Sequence, residues 1–255
     1  MTDRHAPVGI IANPFSARDI RRLIASAGSL QIADRANIVL RVLASLGATG
    51  VCRVLMMPDN GGITALLKRA LQREYNLARQ PWPALELITM PVNGTVNDTH
   101  RAVEIMVERG VQVIVVLGGD GTSRAVASRC GTIPIAGLST GTNNAFPDLR
   151  EPTITGLAIG LYASGQIAAE QMLIGNKILE IDVNNGAFHD WALVDITVTN
   201  EPCVGARALW RTDSLRELFV TFATPEAIGL SAIAGLLMPV GRTEPHGVYA
   251  AHALP

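Results

Sequence analysis

Apolar residues in the first part of the chain fall into two kinds of segment that alternate. Short uninterrupted apolar runs are typical of strands buried on both faces of a parallel sheet. Longer segments between them carry apolar residues at helical spacing. The predicted strands cover residues 8–12, 51–57, 85–90, 111–117 and 133–138. The predicted helices cover 32–46 with Gly47 as the stop, 63–78, a segment from a capping box at Thr95 to Gly110, and 122–129.

This alternation predicts a parallel three-layer α/β domain that extends to about residue 147. After a further helix at 151–164 the pattern changes to short β-like runs at 172–174, 178–183, 191–198 and 218–222. Turn residues at Gly175-Asn176 and at 184–186 separate these runs, as in antiparallel hairpins. We therefore expect an α/β domain at 1–150, followed at 151–255 by a smaller, mainly antiparallel β domain that includes a helix of small residues at 227–237.

Composition and charge narrow the possible partners. The chain has 255 residues, which suits one large or two modest domains. Hydrophobic residues make up 48% and aromatic residues only 4%, so the core consists mainly of Val, Ile, Leu and Ala. The net charge of −1 gives no general attraction to nucleic acid or to an anionic membrane. Any binding of phosphate must therefore be local.

Cysteine usage and hydropathy predict a soluble cytoplasmic protein. Cys52, Cys130 and Cys203 are far apart and form no Cys-x-x-Cys pair, so neither a disulfide framework nor a zinc site is indicated. His100 has no second ligand nearby and is expected to be a surface or packing residue. The longest uncharged run, at 227–241, is shorter than the roughly 20 residues that span a bilayer. The N-terminus shows no signal-peptide core, and we expect no membrane association.

The most informative motif is Gly118-Gly119-Asp120-Gly121-Thr122, which follows a predicted buried strand. Parallel sheets place ligands at the carboxyl ends of their strands. The glycines let the backbone approach a ligand and expose N–H groups to phosphate oxygens at the start of a helix. Asp120 can accept a proton from a substrate hydroxyl or hold a divalent metal ion. The alternative interpretation is an ordinary tight turn.

Two other polar segments follow predicted strands. Asn13 ends the first strand and is either a ligand contact or the first residue of an Asx turn. A second loop offers hydroxyls and amides that suit ribose hydroxyls, base edges or phosphate oxygens, although it also fits a surface loop rich in turn formers. Its residues are Ser139, Thr140, Gly141, Thr142, Asn143 and Asn144. Arg18, Arg21 and Arg22 are candidates for a phosphate contact or for a solvated helix face.

Four features together resemble the NAD kinase family and, within it, the branch of acetoin catabolism protein X. They are Ile11-Ala12-Asn13-Pro14 with residues 19–22, the glycine motif, Ser139 to Asn144 with Phe146-Pro147, and Ala192-Leu193-Val194-Asp195 followed by residues 205–208. Residues 224–235 resemble a diverged form of a fifth family segment. The resemblance spans nearly the whole chain. The glycine motif alone is less specific, because diacylglycerol-type lipid kinases and phosphofructokinases share it.

The resemblance implies a Rossmann-like domain followed by a β-sandwich. It implies transfer of a phosphoryl group from ATP or polyphosphate, with Mg²⁺, to the adenosine-ribose 2′-hydroxyl of NAD, and association into a homodimer or homotetramer. Asp120 would be the catalytic base. The nucleotide and phosphate contacts would be Asn13, Gly118, Gly119, Gly121, Thr122, Ser139, Thr140, Gly141, Thr142, Asn143, Asn144 and Asp195. The metal ligands are not specified.

The chain departs from the family pattern at two places, and these leave other functions open. Val194 stands where the family usually has an asparagine, with Asn200-Glu201 close by, and Glu226 lies in a segment that is usually rich in small hydroxyl residues. One alternative is a non-catalytic nucleotide-binding protein linked to acetoin catabolism. A second is a lipid kinase of the diacylglycerol type, since Gly-Thr-Asn-Asn follows the glycine motif by about twenty residues in such enzymes too.

Overall fold

Five parallel strands form the centre of the N-terminal unit in the computed structural model of the protein. The structure describes residues 6–14, 30–77, 80–140, 144–201, 209 and 212–251. The strands are β1 (Val8–Ala12), β2 (Arg53–Met56), β3 (Ala84–Leu87), β4 (Ile114–Gly118) and β5 (Ile135–Ser139). They lie side by side in the order β3-β2-β1-β4-β5. The predicted parallel sheet is confirmed, with strands slightly shorter than the apolar runs that predicted them.

Helices cover both faces of this sheet. They are α1 (Ile32–Ala48), α2 (Ile63–Leu77), α3 (Val96–Glu108), α4 (Asp120–Ala127), α5 (Pro152–Ala163) and the short α6 (Ala169–Met172). Successive residues of a strand point to opposite faces, so Ile10 belongs to a buried cluster with residues of α1, α2 and α5. Ile11 belongs to a second cluster with residues of α3 and α4. Both side chains are almost fully buried. The three-layer α/β architecture is therefore confirmed.

The start of α3 agrees with its sequence prediction, whereas the end of α1 does not. Thr95 and Asp98 hold the predicted capping-box positions at the start of α3, and the Asp98 carboxylate accepts the N–H groups of Asn93, Gly94 and Thr95 at 2.7–3.3 Å. The prediction that Gly47 ends α1 is wrong, because the helix continues to Ala48. A Cβ atom at Gly47 would collide with the Pro81 carbonyl. Glycine is needed there for close packing.

The helix expected at 151–164 is α5, and it packs closely on α1. A Cβ atom at Gly156 would lie 2.8 Å from the Cβ of Ser45, and one at Gly160 would overlap the side chain of Thr49. By its contacts the chain divides into two compact units: residues 1–142 with 147–173, and residues 143–146 with 174–255. The predicted domain limits of 1–150 and 151–255 stay predictions, since compactness does not test independent folding.

The described part of the second unit contains antiparallel sheets and an α-helix. Strands β6 (Leu179–Val183) and β7 (Phe188–Ala192) form a hairpin, and β8 (Asp195–Thr199), β9 (Leu215–Val220) and β10 (Val248–Ala251) form a sheet in the order β10-β9-β8. Helix α7 is Leu230–Leu237. The predicted antiparallel β region is confirmed, and the hairpin turn at 184–186 has the positive φ angles that Asn and Gly tolerate best.

Three details of the region after α5 differ from the sequence expectation. Residues 191–198 are not one strand, because Leu193-Val194 separates β7 from β8, which belong to different sheets. Residues 172–174 do not form a strand, since Met172 ends α6. Strand β10 was not predicted. Among the described residues, no helix has the length and hydropathy needed to cross a bilayer.

Candidate functional site

The sheet order itself marks a site in the first unit. From β1, the strands β2 and β3 follow one another toward one edge of the sheet. From β4, the next strand, β5, lies toward the opposite edge. Open α/β sheets bind ligands at the carboxyl edge where the order reverses, which here lies between β1 and β4. Asn13 directly follows β1, and Gly119-Asp120 directly follows β4. Both predicted residues therefore lie at this switch point.

Asp120 is the first residue of α4, with Gly119 as the N-cap. The predicted start at Thr122 is two residues too late, because an aspartate is favoured at the positive end of a helix. The Ser123 N–H is bonded to the Gly119 carbonyl at 3.0 Å. The preceding N–H groups, those of residues 119–122, have no acceptor within the helix. This end of α4 thus offers several donors that suit phosphate oxygens.

A hydrogen bond joins the ends of the two strands at the switch point. Asn13 Nδ2 donates to Thr122 Oγ1 at 3.1 Å, and the Asn13 N–H donates to the Leu117 carbonyl at 3.1 Å. Thr122 is buried and lies directly against Gly118, where a Cβ atom would be 2.6 Å from the Thr122 Cβ. Gly118 is therefore required for packing, and Thr122 supports the turn from inside.

The outer side of the turn is open. Asp120 is half-buried and Gly121 is exposed, and a Cβ atom at Gly121 would meet no other atom within 4 Å. Over the described residues, no group of three or more His, Cys, Asp or Glu side chains could hold a metal ion. Mg²⁺ in phosphoryl-transfer sites is often held by one or two carboxylates together with substrate phosphates. One carboxylate beside a helix N-terminus that can accept phosphate oxygens is compatible with a metal ion of that kind.

The end of β5 lies beside the same turn. Ser139 pairs with Gly118 across the β4–β5 ladder, and the Thr140 N–H donates to the Gly118 carbonyl at 3.3 Å. Thr140 is buried and Ser139 half-buried. The first unit thus brings together Asn13, the glycine motif, Ser139 and Thr140. The predicted contacts Gly141, Thr142 and Asn143 lie outside the described residues, as do Arg18, Arg21 and Arg22.

Arg35 is a residue of this site that the sequence reasoning missed. Its side chain is 1% exposed, and its Nη1 atom donates to the Asn13 carbonyl at 2.5 Å while Nε donates to the Leu30 carbonyl at 3.3 Å. A signal was present in the sequence, because Arg35 falls on the same stripe of α1 as the buried Val39 and Val42. A charged residue on an apolar stripe indicates a buried polar contact.

The remaining predicted contacts belong to the second unit. Asn144 is half-buried, and Asp195 is the first residue of β8, also half-buried. Val194 is 8% exposed and its carbonyl accepts the Thr221 N–H at 2.9 Å, so its apolar side chain is part of the interior. Glu226 is exposed.

The other residues named with the resemblance in this unit have structural partners or are not described. Glu201, near the altered Val194 position, accepts a hydrogen bond from Ser214 Oγ at 2.8 Å. Residues 205–208 lie outside the described part of the chain.

Comparison with known proteins also divides the chain into two parts. Residues 8–167 match the family model of the ATP-NAD kinase N-terminal domain, and residues 177–253 match that of the acetoin catabolism protein X C-terminal domain. The chain is 59% identical over 244 residues to acetoin catabolism protein X of Cupriavidus necator. That alignment covers 94% of this chain and 68% of the relative.

Proposed function

Since the chain belongs to the ATP-NAD kinase family, we propose that it transfers a phosphoryl group from ATP or polyphosphate to the adenosine-ribose 2′-hydroxyl of NAD, giving NADP. The observation that carries this proposal is the position of Asp120. It combines a carboxylate, the N-terminus of α4 and the switch point of a parallel sheet. A base beside a phosphate-binding turn is the arrangement that transfer to a hydroxyl needs.

In the proposed reaction Asp120 orients the 2′-hydroxyl and accepts its proton. The hydroxyl oxygen forms a bond to the terminal phosphorus of the donor, and the bond from that phosphorus to the bridging oxygen breaks. The products are NADP and ADP, or NADP and a polyphosphate shortened by one unit. Phosphoryl transfer depends mainly on alignment and on neutralisation of charge, so one base and a rigid set of donors suffice on the protein side.

The proposed phosphate contacts lie at the N-terminus of α4. The backbone N–H groups of Gly119, Gly121 and Thr122 donate to phosphate oxygens, while Gly118 provides the space in which Thr122 packs. Asn13 holds the turn in place through Thr122. The further nucleotide contacts that we propose from the family resemblance are Ser139, Thr140, Gly141, Thr142, Asn143, Asn144 and Asp195.

We propose Mg²⁺ as the accompanying ion; Asp120 is the carboxylate at the switch point that could help to hold it. When bound, Mg²⁺ neutralises the negative charge of the donor phosphates. The family resemblance implies a cytoplasmic homodimer or homotetramer, and we propose the same for this chain. Sedimentation velocity of the purified protein tests the subunit number.

The decisive test is formation of NADP from NAD and ATP, or from NAD and polyphosphate, with Mg²⁺. We expect Asp120→Asn to lower kcat by about 10²–10⁴-fold because the amide cannot accept the proton. Asp148→Asn is the matched control, since Asp148 is an exposed aspartate that pairs with Arg150. An Asp120→Asn variant as active as the parent would remove Asp120 from the mechanism.

Two other outcomes would replace the proposal. Phosphorylation of diacylglycerol in vesicles, with none of NAD, would make the protein a lipid kinase. A rise in Tm on addition of NAD or ATP, with no turnover of either, would make it a nucleotide-binding protein without kinase activity.

A further inference from the structure

Arg242 holds the residues that directly follow Asn144. Its Nη2 atom donates a hydrogen bond to the Ala145 carbonyl, although the two residues are 97 positions apart in the sequence. The guanidinium carbon lies 3.9 Å from the centre of the Phe222 ring and 5.7 Å from that of Phe146. A guanidinium is attracted to an aromatic face by the negative charge density of the ring. Arg242 therefore contacts the chain after Asn144 through both a carbonyl and a ring.

Phe222, on which Arg242 stacks, is held firmly in the second unit. Its side chain is 2% exposed, and its carbonyl accepts a hydrogen bond from the buried hydroxyl of Ser231 at 2.6 Å. The next residue, Ala223, exchanges two backbone hydrogen bonds of 2.8 Å with Val240. This pairing fixes the start of the segment that carries Arg242 at a constant position beside Phe222.

Further hydrogen bonds hold the segment at 241–247. Lys177 Nζ donates to the carbonyls of Gly241 at 2.9 Å and His246 at 2.7 Å. The Glu244 carboxylate accepts the Gly241 N–H at 2.6 Å. The backbone on both sides of Arg242 is thus tied down. An arginine held in this way can fix the position of the two residues that it contacts, Ala145 and Phe146.

We propose that Arg242 is a positioning residue for nucleotide binding: by fixing Ala145 and Phe146 it sets the position of the adjoining Asn144, which contacts NAD. This inference rests on the proposed function, because Asn144 is assigned there to the dinucleotide. Arg242 itself need not touch the ligand. Its effect is to spare residues 144–146 the loss of conformational entropy that binding would otherwise require.

The test compares Arg242→Met, Arg242→Lys and the control Arg150→Met. Methionine keeps an apolar stem but loses the hydrogen bond and the charge, and lysine keeps the charge but not the planar group. Arg150 is an exposed arginine whose ion pair is with Asp148 at 2.7 Å. Three measurements are made on the full chain: hydrogen exchange of residues 144–146 without ligand, the Kd of NAD in the Asp120→Asn background, and the KM and kcat of NAD phosphorylation.

We expect Arg242→Met to speed exchange in residues 144–146 and to raise the Kd and KM for NAD about tenfold, with kcat changed much less. Arg242→Lys should be intermediate, and Arg150→Met should match the parent. A merely structural role would instead lower kcat and Tm together at constant KM.

Other results would overturn the inference. Unchanged exchange in residues 144–146 would show that Arg242 does not hold them, whatever the ligand data. Faster exchange with an unchanged Kd for NAD would show that Asn144 does not bind the nucleotide. Failure of the parent itself to bind NAD would overturn the proposed function, and the exchange data would still report separately whether Arg242 holds residues 144–146.

Discussion

Asn13 and Thr122 are 109 positions apart in the sequence, yet the side-chain amide of the first donates to the hydroxyl of the second at 3.1 Å. The bond connects the residue after β1 to the first turn of α4. It therefore spans the switch point of the sheet, with Asp120 in the adjoining turn. A turn fixed in this way before ligand arrives loses little freedom when a phosphate binds.

We expect Asn13→Ala and Thr122→Val each to lower the free energy of unfolding by about 1 kcal/mol, because each removes one partner of a part-buried hydrogen bond. The double variant should lose less than the sum, since the same bond is removed only once. Urea unfolding followed by circular dichroism measures these values. Thr132→Val, at an exposed position, is the control, and strict additivity of the pair would contradict the coupling.

Gly118 and Gly121, which lie before and after Asp120 in the chain, should differ in their tolerance of a methyl group. Gly118→Ala places a Cβ atom 2.6 Å from the Thr122 Cβ, so we expect a loss of about 1–3 kcal/mol in stability. Gly121→Ala meets nothing within 4 Å, and alanine favours a helix, so that variant should be as stable as the parent or up to about 1 kcal/mol more stable. Chemical denaturation without ligand distinguishes them. Equal losses at both positions would show that the Thr122 contact is not limiting.

Cys52 and Cys130 should react with a thiol reagent at very different rates. Burial raises the pKa of the Cys130 thiol, whereas Cys52 is exposed. The thiolate is the reactive form, so a raised pKa and a buried position both slow the reaction. In a Cys203→Ser background at pH 8, we expect Cys130 to react with an aromatic disulfide reagent more than about tenfold slower than Cys52. The two rates should become similar in urea, and equal rates in the folded protein would contradict this prediction.

His100 should titrate below its ordinary pKa of 6.5. Burial is the largest cause of the lowered pKa, the charge of Arg129 adds to it, and Glu104 opposes it. The folded protein therefore favours the neutral ring. The linked stability is complete above about pH 6.5 and is lost as the pH falls through the lowered pKa of the folded state.

Proton NMR titration of the His100 ring measures this pKa directly. Arg129→Gln should move the value upward by removing the nearby positive charge, although burial still acts. A folded-state pKa at or above that of the urea-unfolded chain would contradict the assignment.

The sequence predicted the layers of the first unit because each buried strand has its own unbroken apolar run, and each helix its own stripe. It could not predict the strand order, since that depends on contacts between distant segments such as β1 and β4. It also assigned Gly47 to a helix end when the residue is needed for contact with Pro81. A glycine that ends a helix and one that permits close packing look the same in a single sequence.

The candidate site likewise contains residues that the sequence predicts and residues that it does not. Asp120 and its glycines could be found because several signals coincide within five residues: an apolar strand, a glycine turn and a helix start. Arg35 and Arg242 could not be assigned so easily, because their partners Asn13 and Ala145 are distant in sequence. Their roles depend on carbonyl groups, which every residue has and which no sequence motif marks.

The backbone passes between the two units more than once, and this limits where the chain can be divided into fragments. The chain passes into the second unit at residue 143, returns to the first at residue 147, and leaves it again after residue 173. A polypeptide ending at residue 142 would lack α5 and would expose the side of α1 that Gly156 and Gly160 now cover. Split-protein complementation should therefore succeed with a break between residues 173 and 174, which leaves α5 joined to its own layer.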